Sequence, residues 1–217
     1  MFAGHVGAAL AIGRAERRIN IGAFVFAAMA LDAVLWLLVL LGRESVLIPA
    51  DFARTHQARF DFPWSHGLLA GLAWSALAAG VVYALGRRLG ATRGHAAALM
   101  AAAVFSHWLL DALVHAPELP LAGAASARVG LGLWGHMPVA LGLEAAIAAA
   151  GLWWYLRGST LARGRRLGLT LLLLVILIFT VAGMTIAPPP PSVPIMAVSS
   201  LVTIAVVTAL AVWIGRA

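Results

Sequence analysis

Long apolar stretches separated by short, arginine-rich breaks dominate the pattern of this chain. A membrane-spanning helix needs about 20 predominantly apolar residues, and six stretches meet this requirement. They are Ile19–Leu41, His66–Gly86, His95–Ala116, Gly130–Leu156, Leu167–Ala187 and Ile195–Ile214. The pattern therefore predicts an all-α, polytopic helical membrane protein with about six transmembrane helices.

A shorter apolar stretch, Phe2–Gly13, precedes these six. About a dozen residues cannot span the hydrocarbon core alone, but they can form a half-membrane helix whose backbone is covered by neighbouring helices. The break that follows Leu156 is the best internal boundary. It predicts a membrane domain over residues 1–156 and a C-terminal two-helix segment over residues 157–217.

The composition agrees with a membrane protein. Hydrophobic residues make up 63% of the 217 residues and charged residues 11%, against about 45–50% and 25% in soluble domains. A soluble fold of this size would expose large apolar patches, which aggregate or bind a partner. The composition therefore excludes a water-soluble enzyme and a disordered chain, and the lipid bilayer is the expected partner.

The basic residues indicate orientation rather than nucleic-acid binding. All 15 are arginines, and they lie in the breaks between apolar stretches instead of on one solvated face. Eleven lie in one alternating set of connections and four in the other. Because cytoplasmic loops are enriched in arginine, both termini are predicted to face the cytoplasm.

Ionisable side chains within the spans are the candidate functional groups. Each costs about 2.5–3.5 kcal/mol at the centre of a membrane helix, so such residues start as functional candidates. The chain has no cysteine, so a metal site would use imidazole, carboxylate or backbone oxygen. The candidates are the carboxylates Asp32, Asp111 and Glu144 and the histidines His5, His66, His107, His115 and His136.

The strongest local pattern is His107-Trp108-Leu109-Leu110-Asp111. A spacing of four places both ionisable side chains on one helix face, one turn apart, and His115 follows at the same spacing. An imidazole and a carboxylate on one face make half of a metal site without thiolates. The same pair also fits a buried hydrogen bond that joins helices, and the pattern leaves both interpretations open.

Depth in the membrane separates these interpretations. With a rise of about 1.5 Å per residue, Asp32, His107 and Glu144 each lie roughly 18 Å from the cytoplasmic end of their spans. His5 lies roughly 14 Å from Arg14 by the same rise. Independent core polar groups would scatter in depth, so the common level predicts one shared site, which His66 would enter from the outer rim.

The remaining candidates are weaker. His136, within Gly135-His136-Met137-Pro138, is predicted to be an interfacial residue. Glu118 is interpreted as an outward loop charge, and Glu44 belongs to a long connection that would face outward. No chemistry is assigned to either glutamate.

The order of four short motifs resembles a known family. Gly4-His5, Leu31-Asp32, Ser65-His66 and Ser106-His107-x-x-x-Asp111 follow one another along about the first 155 residues. This order resembles the inner-membrane metal-dependent hydrolases of the LexA-regulated type and their relatives, which are distantly similar to the zinc-dependent phospholipase C and P1-nuclease group. The resemblance implies a helical metal site in a bacterial inner membrane that hydrolyses a phosphoester of a lipid or lipid-linked substrate.

Two motifs depart from the family pattern. The family's Pro-Asp-x-Asp-His corresponds here to Leu31-Asp32-Ala33-Val34-Leu35, which lacks one carboxylate and one histidine. Its His-Arg-Gly-x-Thr-His-Ser corresponds to residues 61–67, which keep only the second histidine. The resemblance therefore implies a single divalent metal, zinc, rather than a cluster. Its ligands would come from His5, Asp32, His66, His107 and Asp111.

The leading functional interpretation is a membrane-embedded hydrolase in which Glu144, or a carboxylate that does not bind the metal, accepts a proton from water. Two alternatives stay open. In a proton- or cation-coupled transporter or permease, Asp32, His107, Asp111 and Glu144 would relay protons or hold a cation. In a structural membrane protein with a degenerate metal site, the same groups would only join helices.

Overall fold

The computed structural model describes residues 1–216, and most of this length is helical. The α-helices are α1 Phe2–Gly13, α2 Ile21–Ala28, α3 Ala30–Leu40, α4 Phe52–Thr55, α5 Leu68–Leu85, α6 Arg93–Val114, α7 Met137–Leu156, α8 Arg163–Thr185 and α9 Val193–Ile214. Two 3-10 segments, Gly86–Thr92 and Leu133–His136, follow α5 and precede α7.

Within residues 1–216, five helices are long and apolar enough to cross a membrane, and α2 with α3 makes a sixth if the two are counted as one span. The prediction of an all-α polytopic protein is confirmed. The predicted first span differs in one respect, because α2 and α3 meet at Met29 with a bend of 51°.

Two small hairpins cover one end of the helices. β1 (Ser45–Leu47) pairs antiparallel with β2 (Arg59–Asp61), and β3 (Leu119–Pro120) pairs antiparallel with β4 (Arg128–Val129). Arg128 donates to Asp61 over 2.8 Å and joins the two hairpins. The connections that follow α3 and α6 are therefore ordered over the same end of the protein.

Helix α1 lies in the interior and packs against α2, α6, α7 and α8. Its backbone comes very close to α7: a Cβ added to Gly7 would lie 2.6 Å from the Ala148 Cα atom, and one added to Gly151 would overlap the Gly7 carbonyl. Small residues allow membrane helices to approach in this way. The contact fixes the position of α1, which carries His5.

The C-terminal helices pack on the helices of the first 156 residues. Helix α9 contacts α2 and α3, and α8 contacts α1 and α7. The proposed division at Leu156 remains a prediction, but the two C-terminal helices are part of the surroundings of the site.

The connection between α1 and α2 is held by an ion pair. Arg18 donates to the two carboxylate oxygens of Glu16 over 2.9 and 2.7 Å. These hydrogen bonds from the Arg18 guanidinium hold the pKa of Glu16 below its usual value.

The stability contributed by this pair should depend on pH. A lowered folded-state pKa stabilises the fold above the unfolded pKa of about 4.3, and the contribution is lost as the pH falls through the folded value. We therefore expect Glu16→Gln to lower the melting temperature of detergent-solubilised protein at about pH 7 and to lower it less at about pH 3. An equal loss at both pH values would contradict the ion pair as its cause.

Candidate metal centre

Five of the residues predicted as ligands meet in the interior of the protein. His5 comes from α1, Asp32 from the first turn of α3, and His66 from the segment just before α5. His107 and Asp111 come from one face of α6. The side chains of these residues are almost completely buried, with the exception of Asp32.

Three ligand atoms form a compact triangle. His66 Nε2 lies 3.1 Å from His107 Nε2. The Oδ2 atom of Asp111 lies 3.2 Å from His107 Nε2 and 3.5 Å from His66 Nε2. Ligands about 2.0–2.1 Å from a tetrahedral zinc ion are separated by about 3.3 Å. The three measured separations bracket this value.

Asp32 approaches the same two nitrogens. Its Oδ1 atom lies 3.6 Å from His66 Nε2 and 3.6 Å from His107 Nε2. Its side chain is 27% exposed, so it is the carboxylate of the site that faces open space. Because Asp32 lies in the first turn of α3, the positive end of the helix dipole stabilises its charge.

The break between α2 and α3 orients His107. The last carbonyls of a helix have no partner within the helix, and the carbonyl of Ala28 lies 2.7 Å from His107 Nδ1. A carbonyl only accepts, so Nδ1 carries the hydrogen and donates it. In the neutral ring Nε2 therefore presents a lone pair to the site.

A second hydrogen-bond chain orients His66. Ser65 Oγ donates to Glu44 Oε2 over 2.7 Å, and His66 Nδ1 lies 2.8 Å from the same hydroxyl oxygen. Since the hydroxyl hydrogen is already used, His66 Nδ1 donates to Ser65 Oγ. His66 Nε2, like His107 Nε2, then has no hydrogen in the neutral ring.

The Nε2 atoms of His66 and His107 thus lie 3.1 Å apart with their lone pairs facing each other, beside two carboxylate oxygens. Without a positive charge between them, these acceptors would repel one another in a region without water to screen them. A cation satisfies all of them at once. Hydrogen bonds from the outer nitrogens of metal-binding histidines to carbonyl and carboxylate groups are common around metal ions, so these buried groups could hold one.

His5 extends the centre on its other side. Its ring stacks on that of His107 with centroids 3.8 Å apart, and its Nε2 lies 3.1 Å from Asp111 Oδ1. Its Nδ1 is buried and has no hydrogen-bond partner among the described residues. His5, Asp32 and His107 form a second group close enough to hold an ion. The nitrogen of Met1 also lies 3.3 Å from Asp111 Oδ1.

His115 forms a dyad with Glu118 at the edge of the centre. His115 Nδ1 lies 2.5 Å from Glu118 Oε1, and His115 Nε2 lies 3.7 Å from Asp111 Oδ2. His115 belongs to neither group of close ligand atoms. Glu118 lies in the connection after α6, and its carboxylate is paired there, because its second oxygen also accepts from the Phe60 backbone over 3.3 Å.

The two other predicted residues lie in different surroundings. Glu144 is buried, and its Oε1 accepts from the backbone nitrogen of Gly4 over 3.2 Å. It therefore satisfies a free donor at the N-terminus of α1. His136 is exposed at the end of the 3-10 segment before α7 and lies outside the centre.

A cavity of about 340 Å³ leads to the centre. Asp32, His66, Asp111, His115 and Glu144 line its polar end. Aromatic and aliphatic side chains of α3, the β1–β2 connection, α8 and α9 form its walls. The C-terminal helix pair, to which the sequence assigned no role, is thus one wall of this cavity.

Sequence reasoning missed Glu44 and Ser65. Glu44 is 5% exposed and accepts from the backbone nitrogens of Trp64 and Ser65, each over 2.8 Å, as well as from the Ser65 hydroxyl. The sequence predicts only that Glu44 belongs to a long connection that faces outward. The sole signal in the sequence was the serine that directly precedes His66.

Comparisons with protein-family models, with curated proteins and with solved structures found no match to this chain. The geometry of the centre and of the cavity is therefore the basis for assigning a function.

Proposed function

We propose that this protein is a membrane-embedded, metal-dependent hydrolase that acts on a lipid or lipid-linked substrate. One observation carries the proposal: the Nε2 atoms of His66 and His107 lie 3.1 Å apart while both outer nitrogens are already donating. Polar groups that only joined helices would be paired donor to acceptor. In the neutral rings only acceptors converge here, which supports a bound cation.

The ligand set favours zinc. Neutral imidazole and carboxylate are typical zinc ligands, and catalytic zinc sites keep one position open for water or substrate. His66, His107 and Asp111 would hold the ion, with Asp32 beside the position that faces the cavity. When bound, zinc acidifies water and polarises a substrate oxygen.

The dyad of His115 and Glu118 is suited to accept the proton of water. Glu118 takes the hydrogen bond from Nδ1, so Nε2 of His115 is free to accept at the cavity. A histidine held in one tautomer by a carboxylate is a common general base. Glu144 remains the alternative, and one of its oxygens is already used by Gly4.

The cavity suits a substrate that enters from the bilayer. Phe179 of α8 lines it and is 59% exposed, next to Ile178, which is 60% exposed. In a helix that spans a membrane such side chains contact lipid. The cavity therefore reaches the apolar surface of the protein, and a lipid could enter it without crossing water.

We expect detergent-purified protein to contain about one zinc ion per chain, because the two groups of close ligand atoms share His107 and a zinc ion needs three or four ligands. Elemental analysis before and after treatment with a chelator would measure this ratio. Removal of the metal should abolish hydrolysis of lipid substrates, and added zinc should restore it. Protein that folds normally with negligible metal would contradict the proposal.

A transporter is the second candidate, and the break at Met29 favours it. Transporters bind ions where a membrane helix is interrupted, and Asp32 lies three residues beyond this break. Under that interpretation, substitution of Asp32 would abolish proton- or cation-coupled uptake into vesicles while metal content stays negligible.

The arginine distribution supports an orientation in which the connection after α1 and the end of α9 lie in the cytoplasm, while Met1 is buried beside Asp111. A bacterial inner membrane is what the family resemblance implies. The hairpin-covered end of the protein, toward which the cavity extends, would then face outward. A substrate in the outer leaflet would reach the cavity most directly.

A further inference from the structure

The charge of the cavity lining restricts the substrate. Three carboxylates, Asp32, Asp111 and Glu144, line the polar end. No arginine lines the cavity among the described residues, and the chain has no lysine. The nitrogen of Met1 is already paired with Asp111 Oδ1 at 3.3 Å. The described lining therefore offers a substrate no permanently charged cation, and its basic side chains are the imidazoles of His56, His66 and His115.

A phosphoester needs such cations. Sites that transfer or hydrolyse phosphoryl groups neutralise the phosphate oxygens with arginine, lysine or additional metal ions. Here one divalent ion and the Met1 ammonium would be balanced by the charges of Asp32, Asp111 and Glu144. No excess positive charge would remain for an anionic substrate. The lining matches a substrate whose reacting group carries no charge.

The walls of the cavity match an apolar chain. The hydroxyls of Thr180, Ser199 and Thr203 line it, but each donates to a carbonyl of its own helix over 2.8–3.0 Å. Ser200 adds one more hydroxyl, and His56 and Gln57 add polar groups from the β1–β2 connection. Most of the remaining surface is formed by methionine, leucine, isoleucine and aromatic side chains. An acyl chain would satisfy this surface, since it needs no hydrogen-bond partners.

We propose that the substrate is an uncharged acyl lipid and that the bond cleaved is a carboxylic ester or amide rather than a phosphoester. This inference rests on the hydrolase proposed above. The acyl chain would lie between α3, α8 and α9, and the carbonyl would face Asp32 and His66.

The reaction balances with water alone. The hydroxyl of the water joins the acyl carbon, and the bond from that carbon to the leaving oxygen or nitrogen breaks. His115 Nε2 would take the remaining proton and return it to the leaving atom. The products are a fatty acid and an alcohol or amine.

Three probes with the same unsaturated chain test the substrate class. Monooleoylglycerol carries an uncharged ester, N-oleoylethanolamine an uncharged amide, and oleyl phosphate a phosphoester. With zinc-loaded protein we expect oleate from at least one acyl probe, at a rate at least roughly a hundredfold above phosphate release from oleyl phosphate. The readouts are oleate by mass spectrometry and inorganic phosphate.

Faster release of phosphate than of oleate would overturn the substrate class and leave the hydrolase standing. No metal-dependent hydrolysis of any probe would overturn the hydrolase, and this inference with it. The two failures are therefore distinguishable.

A pair of variants on α9 tests the placement of the chain. Ser200 lines the cavity, whereas Val206 is 50% exposed and does not line it. Ser200→Phe should slow oleate release about tenfold or more because it fills the space for the chain, with metal content unchanged. Val206→Phe should leave the rate unchanged. Equal rates in both variants would overturn the placement.

Discussion

Replacing His107 by asparagine is expected to remove the bound metal and the hydrolytic activity together while the protein still folds. The asparagine amide can donate to the Ala28 carbonyl in place of Nδ1, so the break between α2 and α3 keeps its partner. The substitution removes Nε2, which lies 3.1–3.6 Å from three other ligand atoms. Elemental analysis, lipid hydrolysis and gel filtration would measure the three effects.

Two further variants test whether the loss of metal is specific to the ligands and to the contacts that orient them. Glu44→Gln leaves the ligands in place but weakens the chain through Ser65 that orients His66, and such outer contacts change metal affinity by about 10–100-fold. His136→Asn is the matched control, because His136 is exposed outside the centre. Full metal content in His107→Asn would contradict the assignment of His107 as a ligand. Equal metal loss in His136→Asn would show that the effect is not specific.

The second large effect is expected at the contact between α1 and α7. Gly151→Ala should destabilise the protein by about 3 kcal/mol or more, at the upper end of the cost of overpacking, because the new methyl group would overlap the Gly7 carbonyl. The atoms in the way belong to the backbone of α1, which cannot move aside as a flexible side chain could. Displacement of α1 would also move His5 and lower metal content. Unfolding in increasing concentrations of a denaturing detergent would measure the loss.

Gly142→Ala is the control on the same helix. A Cβ atom at Gly142 meets no atom within 4 Å, and alanine favours a helix over glycine by up to about 1 kcal/mol. This variant should be as stable as the wild type or slightly more stable. If Gly151→Ala behaved like Gly142→Ala, the close approach of α1 and α7 would be wrong.

The helices and the ligand candidates could be read from the sequence because both leave local signals. A run of about 20 apolar residues has one stable state in a membrane, the helix, and all six predicted stretches contain helices of the structure. Charged groups in such runs are costly enough to stand out. His5, Asp32, His66, His107 and Asp111 were selected on this basis, and they meet in the structure.

The break at Met29 had no local signal, since the chain there contains neither proline nor glycine. It arises where the Ala28 carbonyl lies 2.7 Å from a side chain far away in sequence, that of His107. Glu44 and Glu118 were missed for the same reason. A carboxylate in a loop is either solvated or part of a buried site, depending on which segments pack over it. A single sequence does not show which segments those are.

The amino-acid sequence by itself determined that this protein lies in a membrane, that it is helical, and that costly polar groups share its interior, because each of these follows from local composition and spacing. Only the tertiary structure decided which nitrogen of each histidine faces the centre, that Glu118 supports His115, and that α8 and α9 form a wall of the cavity. These depend on contacts between segments distant along the chain, whose geometry is set by the packing of α1 against its neighbours.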